Sequence, residues 1–386
     1  MSKHAMLSAS GAARWLTCTP SAKLEQQFPE AASEYAAEGT AAHELAELAA
    51  RHWLNKISEP EYENKLAELS KGPYYNAEMQ EHANDYARFI LSKFAAALER
   101  SPDAFVELEV KVNFSHWVKG GFGTSDCIIV TDGVLEIVDL KYGKGHRVEA
   151  AGNPQMRLYA LGALLKYYLL YDFKAVRMTI FQPRLSGVQS SDEISVTELL
   201  DWAENYVKPR AKLAYAGKGT FEPSEETCKF CRAKEQCRAR AEHNLKLFDE
   251  APDALLITPE EAGAILEKAA DIQAWLSDLE SLVSSTLLEG KPVTGWKMVE
   301  GRSNRRFADE LKVAEAMKAA GYDEALLYKR ELITLTQMEK DFGKKAVAEV
   351  LADLIVKPRG KPTLAPAKDK RPEFRPEEQV LAAFDE

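Results

Sequence analysis

The chain has 386 residues, 46% of them hydrophobic and 28% charged, with a formal net charge of −10. This is the composition of a globular protein, long enough for one large domain with an appendage or for two domains. No apolar run reaches the ~20 residues of a membrane span, and the acidic balance argues against indiscriminate coating of nucleic acid.

The opening segment, MSKHAMLSASGAARWL, has no continuous apolar stretch after its lysine, so no secretory signal is expected and a cytoplasmic protein is. Residues 1–100 read as helical. SASGAARWL starts a helix capped by Ser8 or Ser10, and EGTAAHELAELAARHWL one capped by Thr40. NAEMQEHANDYARFILSKFAAALER spaces Tyr86, Phe89, Ile90, Phe94 and Leu98 at the helical period. The period then changes to two. AFVELEVKVNF alternates Val106, Leu108, Val110 and Val112 against Glu107, Glu109, Lys111 and Asn113, a strand with one wet face.

DCIIVTDGVLEIVDLK reads as two strands around Thr131-Asp132-Gly133, a strong hairpin turn. A helix from Pro154, the strand KAVRMTIFQPR and the helix SVTELLDWAENYVKPRAKLAYAG follow. The order predicts an α/β fold: a mixed central sheet flanked by helices, its later strand joined by a helical crossover. Beyond it, Thr258, Pro259 and Glu261 open a capped helix that Gly290 closes. The stripe Ile265, Leu266, Ala269, Ile272, Leu276, Leu279 and Val283 on that helix reads as core-facing. GWKMVEGRSNRRF reads as a hairpin turning at Glu300-Gly301, and the Pro- and Lys-rich tail as extended or disordered. The expected division is residues 1–248, a mainly helical module 249–355 and a tail 356–386.

Asp126 and Asp139 lie nearly opposite each other on the two arms of the central hairpin, and Lys141 projects to the same face as Asp139. Two converging carboxylates repel, and a divalent cation relieves the repulsion. Mg²⁺ is commonly held by one or two carboxylates and keeps waters for substrate phosphates. A lysine beside it can orient or deprotonate an attacking water and stabilise the charge that develops. These are the parts of metal-assisted phosphodiester hydrolysis. Glu136 fits the alternation of the same strand and is a further candidate for the neighbourhood of the site.

Three of the five cysteines form CKFCRAKEQC, Cys228, Cys231 and Cys237. Three thiolates do not close a tetrahedral site, and the remaining candidates are Cys18, Cys127 and His243. Cys127 follows Asp126 in a strand, points to the opposite face and reads as a small buried hydrophobe. Soft thiolates suit zinc and iron–sulfur alike. Basic clusters recur in KYGKGHR, with Lys144 and Arg147, and in RSNRR, with Arg302, Arg305 and Arg306; both are candidate phosphate contacts.

The pattern GFGTSD followed by DLKYG resembles the metal-binding core of the PD-(D/E)XK nuclease superfamily, and more narrowly its RecB/AddB-like branch. GTAAHELAE resembles that branch's upstream helix with its histidine, here His43; Gln155 to Tyr159 resembles its Q-x-x-x-Y motif. The resemblance spans residues 7–245 and is nearest to phage- and prophage-encoded members. It implies a restriction-endonuclease-like sheet and a Mg²⁺- or Mn²⁺-dependent DNA nuclease, either an exonuclease or a DNA-end processing enzyme. His43, Asp126 and Asp139 would hold the metal, and Lys141 would be catalytic. Gln155 and Tyr159 would position phosphate or brace Lys141, and Glu47 would stand behind His43. Cys18, Cys228, Cys231 and Cys237 would hold a [4Fe–4S] cluster, with Zn²⁺ the alternative. The implied partners are DNA and a single-strand-binding protein, annealing protein or helicase, with no membrane. Competing readings are a non-catalytic DNA-binding recombination scaffold and a zinc-binding interaction protein.

Overall fold

The structure, a computed structural model, describes residues 5–29, 34–145, 147–185, 188–249, 258–299, 310–320, 327, 333–351 and 354–355. The chain divides into two compact units, Met1–Trp296 and Lys297–Glu386. No helix among the described residues is long and apolar enough to cross a membrane.

The first unit is built on a five-stranded mixed sheet in the order β1 (Phe105–Asn113), β2 (Phe122–Val130), β3 (Gly133–Leu140), β4 (Phe173–Gln182) and β5 (Val188–Ser195). β1, β2 and β3 form an antiparallel meander; β4 runs parallel to β3, and β5 pairs antiparallel with β4. The parallel pair needs a crossover, which α6 (Pro154–Tyr167) supplies. The Asn153 side chain caps α6 by accepting from the Gln155 and Met156 amides, with Pro154 in its first turn.

Helices cover both faces of the sheet. α6, α1 (Ala12–Thr17), α7 (Val196–Trp202) and α8 (Lys208–Ala216) share one core with Val110, Val112, Ile128, Val130, Leu135 and Ile137. Ala22 of the short α2 (Ser21–Leu24) joins the same core. α3 (Glu34–Trp53) and α5 (Ala77–Arg100) share the other with Val106, Leu108, Cys127, Ile129, Val138 and Leu140, and Leu66 and Leu69 of α4 (Glu59–Leu69) pack against it. This is the mixed sheet with flanking helices that the element order predicts.

β1 does not keep one wet face. Val106 and Leu108 pack toward α3 and α5, whereas Val110 and Val112 pack toward α6, although all four are even-numbered. β2 makes the same exchange. Cys127 lies in the α3–α5 core, yet a Cβ at Gly123 would point at Tyr159 and Ala9 on the other side. The ladder passes from Leu108–Cys127 to Val110–Ser125 and skips Glu109 and Asp126. Glu109 occupies left-handed backbone at φ 53, a conformation that costs a non-glycine residue about 1–3 kcal/mol. One rotated residue thus turns the strand over and brings two carboxylates to the break.

Several local expectations change. Thr40 is no cap: α3 starts at Glu34, and the Thr40 hydroxyl donates to the Ala36 carbonyl inside the helix. β5 goes beyond the predicted elements: VQSSDEIS has little strand character of its own and is held by its pairing with β4. The helix after β5 widens into a π-turn at Ala203–Val207, just before Pro209, which has no amide hydrogen to give.

α11 (Pro259–Leu288) carries its predicted capping box at Thr258 and Glu261. It falls within the first unit and packs against α9 (Glu225–Cys228) and α10 (Arg238–Asp249). Its predicted stripe is not a core: Ile265, Leu266 and Leu276 are about half exposed, and Trp275 is the buried residue. Charge holds the helix instead. Buried Arg240 reaches Asp278 at 2.5 Å, and Lys234 reaches the same carboxylate at 2.6 Å.

The second unit is helical in its described parts, with α12 (Glu310–Ala319), α13 (Leu335–Phe342) and α14 (Lys344–Val350). Arg302, Arg305 and Arg306, the turn at Glu300-Gly301 and the 356–386 tail lie outside the described residues, and 296–299 form no strand.

Candidate metal centre and cysteine pocket

The break between β1 and β2 opens under α3. His43 Nδ1 lies 3.3 Å from Asp126 Oδ1, while Asp126 Oδ2 accepts from the Leu140 amide at 2.7 Å. Glu109 joins them: His43, Glu109 and Asp126 each place one ligand atom within 4.8 Å of the others. It is a candidate metal ligand that sequence reasoning missed. Strand alternation assigns Glu109 to a solvated face, and only the left-handed turn of its own backbone brings it inward.

Asp139, two per cent exposed, stands beside this trio at the end of β3. Gln155 Nε2 donates to its Oδ1 at 3.3 Å. Lys141 Nζ lies 3.0 Å from its Oδ2 but off hydrogen-bond geometry, so that buried oxygen carries a charge contact and no hydrogen bond. Lys141 donates instead to Gln155 Oε1 at 3.0 Å, and Gln155 Nε2 also reaches Tyr159 Oη at 3.2 Å. Gln155 and Tyr159, one helical turn apart, therefore form a brace for Lys141 and Asp139. Gly123 makes room for it, since a Cβ there would sit 2.7 Å from Tyr159 Cε1.

The electrostatics of the pocket are those of an excess of carboxylate. Burial pushes Glu109 up to about 7, and the charges of Asp126 and Glu47 add to it. Burial pulls His43 down, but the Asp126 charge and hydrogen bond, with Asp139 behind them, override it and raise His43 to about 9. Burial also raises Asp139, against the opposing charge of Lys141. Lys141 is itself held above its ordinary value: burial opposes its charge, and Asp139 outweighs burial. Without a bound cation the pocket retains protons. Carboxylate oxygens and one imidazole suit a hard divalent ion, and the buried Asp139 oxygen without a hydrogen bond fits such a ligand set.

Cys18, Cys228, Cys231 and Cys237 line one small enclosed cavity, with Ser21 and Leu24 on its wall. All are free thiols. Glu25 ties the cavity's two sides together, accepting from Arg14 Nε at 2.9 Å and from the Arg232 amide at 2.8 Å. Burial raises the thiols of Cys18 and Cys228, and it pushes Cys231 up to about 12. Among the described residues, no three of these sulfurs lie within 4.8 Å of one another. Cys127 is fully buried in the α3–α5 core, as its strand position predicts, and His243 is exposed.

A family model matches residues 4–372. The chain belongs to the DUF2800 family, described as a protein of unknown function. Among solved structures, a protein from Eubacterium rectale named "Putative exonuclease" is 13% identical, with a TM-score of 0.32, over 66% of this chain and 90% of that one. An alkaline exonuclease from Laribacter hongkongensis is 13% identical, with a TM-score of 0.23, over 45% and 87%.

The other predicted residues are placed as follows. Glu47 pairs with Arg51 at 2.6 Å, one turn beyond His43, and acts on the site through its charge on Glu109. Lys144 lies 3.8 Å from Glu78 and Arg147 2.8 Å from Glu149, both on the surface. Glu136 is buried on the α5 side, paired with Lys93 and Arg177, none of which belongs to the site.

Proposed function

We propose that this chain is a divalent-metal-dependent nuclease that hydrolyses phosphodiester bonds in DNA. The observation that carries the reading is the meeting of His43, Glu109 and Asp126 beside the Asp139–Lys141–Gln155 network. His43, Asp126 and Asp139 would hold Mg²⁺ or Mn²⁺, with Glu109 as an additional carboxylate. The ion, when bound, polarises a phosphoryl oxygen and makes water a better nucleophile at neutral pH.

The protein's own groups do the rest. Gln155 spans Asp139, Lys141 and Tyr159, which fixes the lysine ammonium beside the buried carboxylate. Held beside the buried Asp139 carboxylate, Lys141 would orient the attacking water or donate to substrate oxygens and stabilise the charge that develops there. Cys18, Cys228, Cys231 and Cys237 would hold a [4Fe–4S] cluster as a structural clip. Support comes from their shared cavity. The cluster would tie α1 to the segment after α8, and a clip across so long a loop restricts the unfolded chain most.

The biological setting we infer is processing of DNA ends in phage or bacterial replication or recombination, alongside a single-strand-binding protein, annealing protein or helicase. Digestion of end-labelled single- and double-stranded DNA with Mg²⁺ or Mn²⁺ tests the activity. Metal-dependent shortening of at least one substrate is expected; intact labels on both, under both ions, would contradict it.

A further inference from the structure

The open edge of β1 leads away from the candidate metal centre. Glu109 belongs to the centre, and Lys111 stands two positions further along the strand, about 7 Å on by strand rise. From there a groove of about 550 Å³ runs between β1, the turn that follows it and α6. Lys111, Asn113, Ser115, His116, Leu165 and Lys166 line it, and no carboxylate does. Gly162 lets α6 lie close against β1, for a Cβ there would sit 2.8 Å from Val112 Cβ.

Such a lining is unusual in a chain with a net charge of −10. Lys111 Nζ lies 4.9 Å over the Phe122 ring, and among the described residues no carboxylate pairs with it. Lys166 is oriented from outside the groove, by Glu107 at 2.8 Å and the Tyr167 ring at 5.0 Å. His116 Nε2 is 3.7 Å from Glu204, also outside the lining. Asn113 and Ser115 add neutral hydrogen-bonding groups, and Leu165, 39% exposed, adds an apolar surface. Cations for phosphate, neutral polar groups and one apolar contact, on the strand that also carries Glu109, are the chemistry of a nucleic-acid track.

We propose that this groove holds the sugar–phosphate backbone of a single polynucleotide strand whose neighbouring linkage lies at the metal centre. Lys111 takes the phosphate next to the scissile one, and Lys166 and His116 take the one beyond. The proposal rests on the nuclease reading and deepens it: the substrate is a strand that extends past the cut, not a mononucleotide or a lone phosphate ester.

The test is fluorescence anisotropy of a labelled single-stranded DNA oligonucleotide with the full chain, with Ca²⁺ replacing Mg²⁺. The Lys111→Gln/Lys166→Gln variant should bind about tenfold more weakly, and its plot of log affinity against log salt should be shallower by about 1.4, ~0.7 for each lost phosphate contact. Lys111→Gln alone, an exposed change beside the Phe122 ring, should lower the slope by ~0.7 and decides the matter if the double variant misfolds. Unchanged affinity and slope in variants that still cut DNA would overturn the groove and leave the nuclease reading standing. A wild-type chain that neither binds nor cuts the oligonucleotide would overturn both.

Discussion

Glu109 and Asp126 stand opposite each other at the break in the β1–β2 ladder, where both strands exchange faces between the two cores. The relationship is costly twice over, in a left-handed backbone at Glu109 and in two carboxylates brought together. Strain of this kind persists where the surrounding structure imposes it, and it gathers at functional sites. Glu109→Gln keeps the backbone and removes one charge. The metal-free variant should melt higher than the native chain at pH 8, and Mn²⁺ should raise its melting temperature by less. Scanning calorimetry with and without Mn²⁺ measures both; equal gains from the metal would remove Glu109 from the centre.

The protons of the pocket set a pH dependence. Glu109 is raised from 4.5 to about 7, so its contribution to stability is fully present below 4.5 and is lost as pH rises through 7. His43 is raised from 6.5 to about 9, so its contribution is complete below 6.5 and is lost as pH rises through 9. Both losses run the same way. The metal-free chain should lose stability between pH 5 and 9, and the stabilisation by Mn²⁺ should grow over the same range as protons stop competing with it. Melting curves across that range, with and without Mn²⁺, check it; a metal effect that shrinks toward pH 9 would contradict the assignment.

Gly123 tests the brace. A methyl group at that position meets the Tyr159 ring, which can yield only by leaving Gln155. Gly123→Ala should cost about 1–3 kcal/mol by overpacking. It should also reduce DNA cleavage more than Mn²⁺ binding, because Lys141 and Asp139 lose the Gln155 brace while His43, Glu109 and Asp126 stand outside it. Parallel denaturation, metal titration and cleavage assays separate the effects, and undiminished cleavage would show that the brace is dispensable.

The cysteines divide four to one. Cys18→Ser should lose iron and soluble yield as Cys228→Ser does, whereas Cys127→Ser, in the other core, should keep both. Iron and sulfide analysis of anaerobically purified variants measures this. Four irons per chain in the Cys18 variant would move the fourth ligand elsewhere, and zinc in place of iron in the native chain would replace the cluster.

Much of the frame was legible because it depends on local pattern. The Asp132-Gly133 turn fixes the β2–β3 pairing, and that register brings Asp126 to the end of β3 near Asp139 and Lys141. The four cysteines share a cavity although they are spread from residue 18 to residue 237. What was hidden depends on context. The face exchange at Glu109 leaves no trace in VELEVKV, whose apolar residues alternate perfectly while packing into two different cores. β5 exists through its partner β4 and not through its own composition. The α11 stripe has helical period, yet Ile265, Leu266 and Leu276 on it are about half exposed, and the buried Arg240 pairs with that helix through Asp278. Periodicity reports which residues share a face of a regular element; it does not report what lies opposite or where the backbone turns over.

Asp139 and Lys141 touch at 3.0 Å, yet the proposed mechanism gives one to the metal and the other to the substrate. Asp139→Ala and Lys141→Ala are each assayed for DNA cleavage and, by calorimetric titration, for Mn²⁺ binding. Cleavage should disappear in both, with Mn²⁺ affinity at least tenfold weaker for Asp139→Ala and near native for Lys141→Ala. Sustained DNA cleavage by Asp139→Ala in Mn²⁺ would contradict the account.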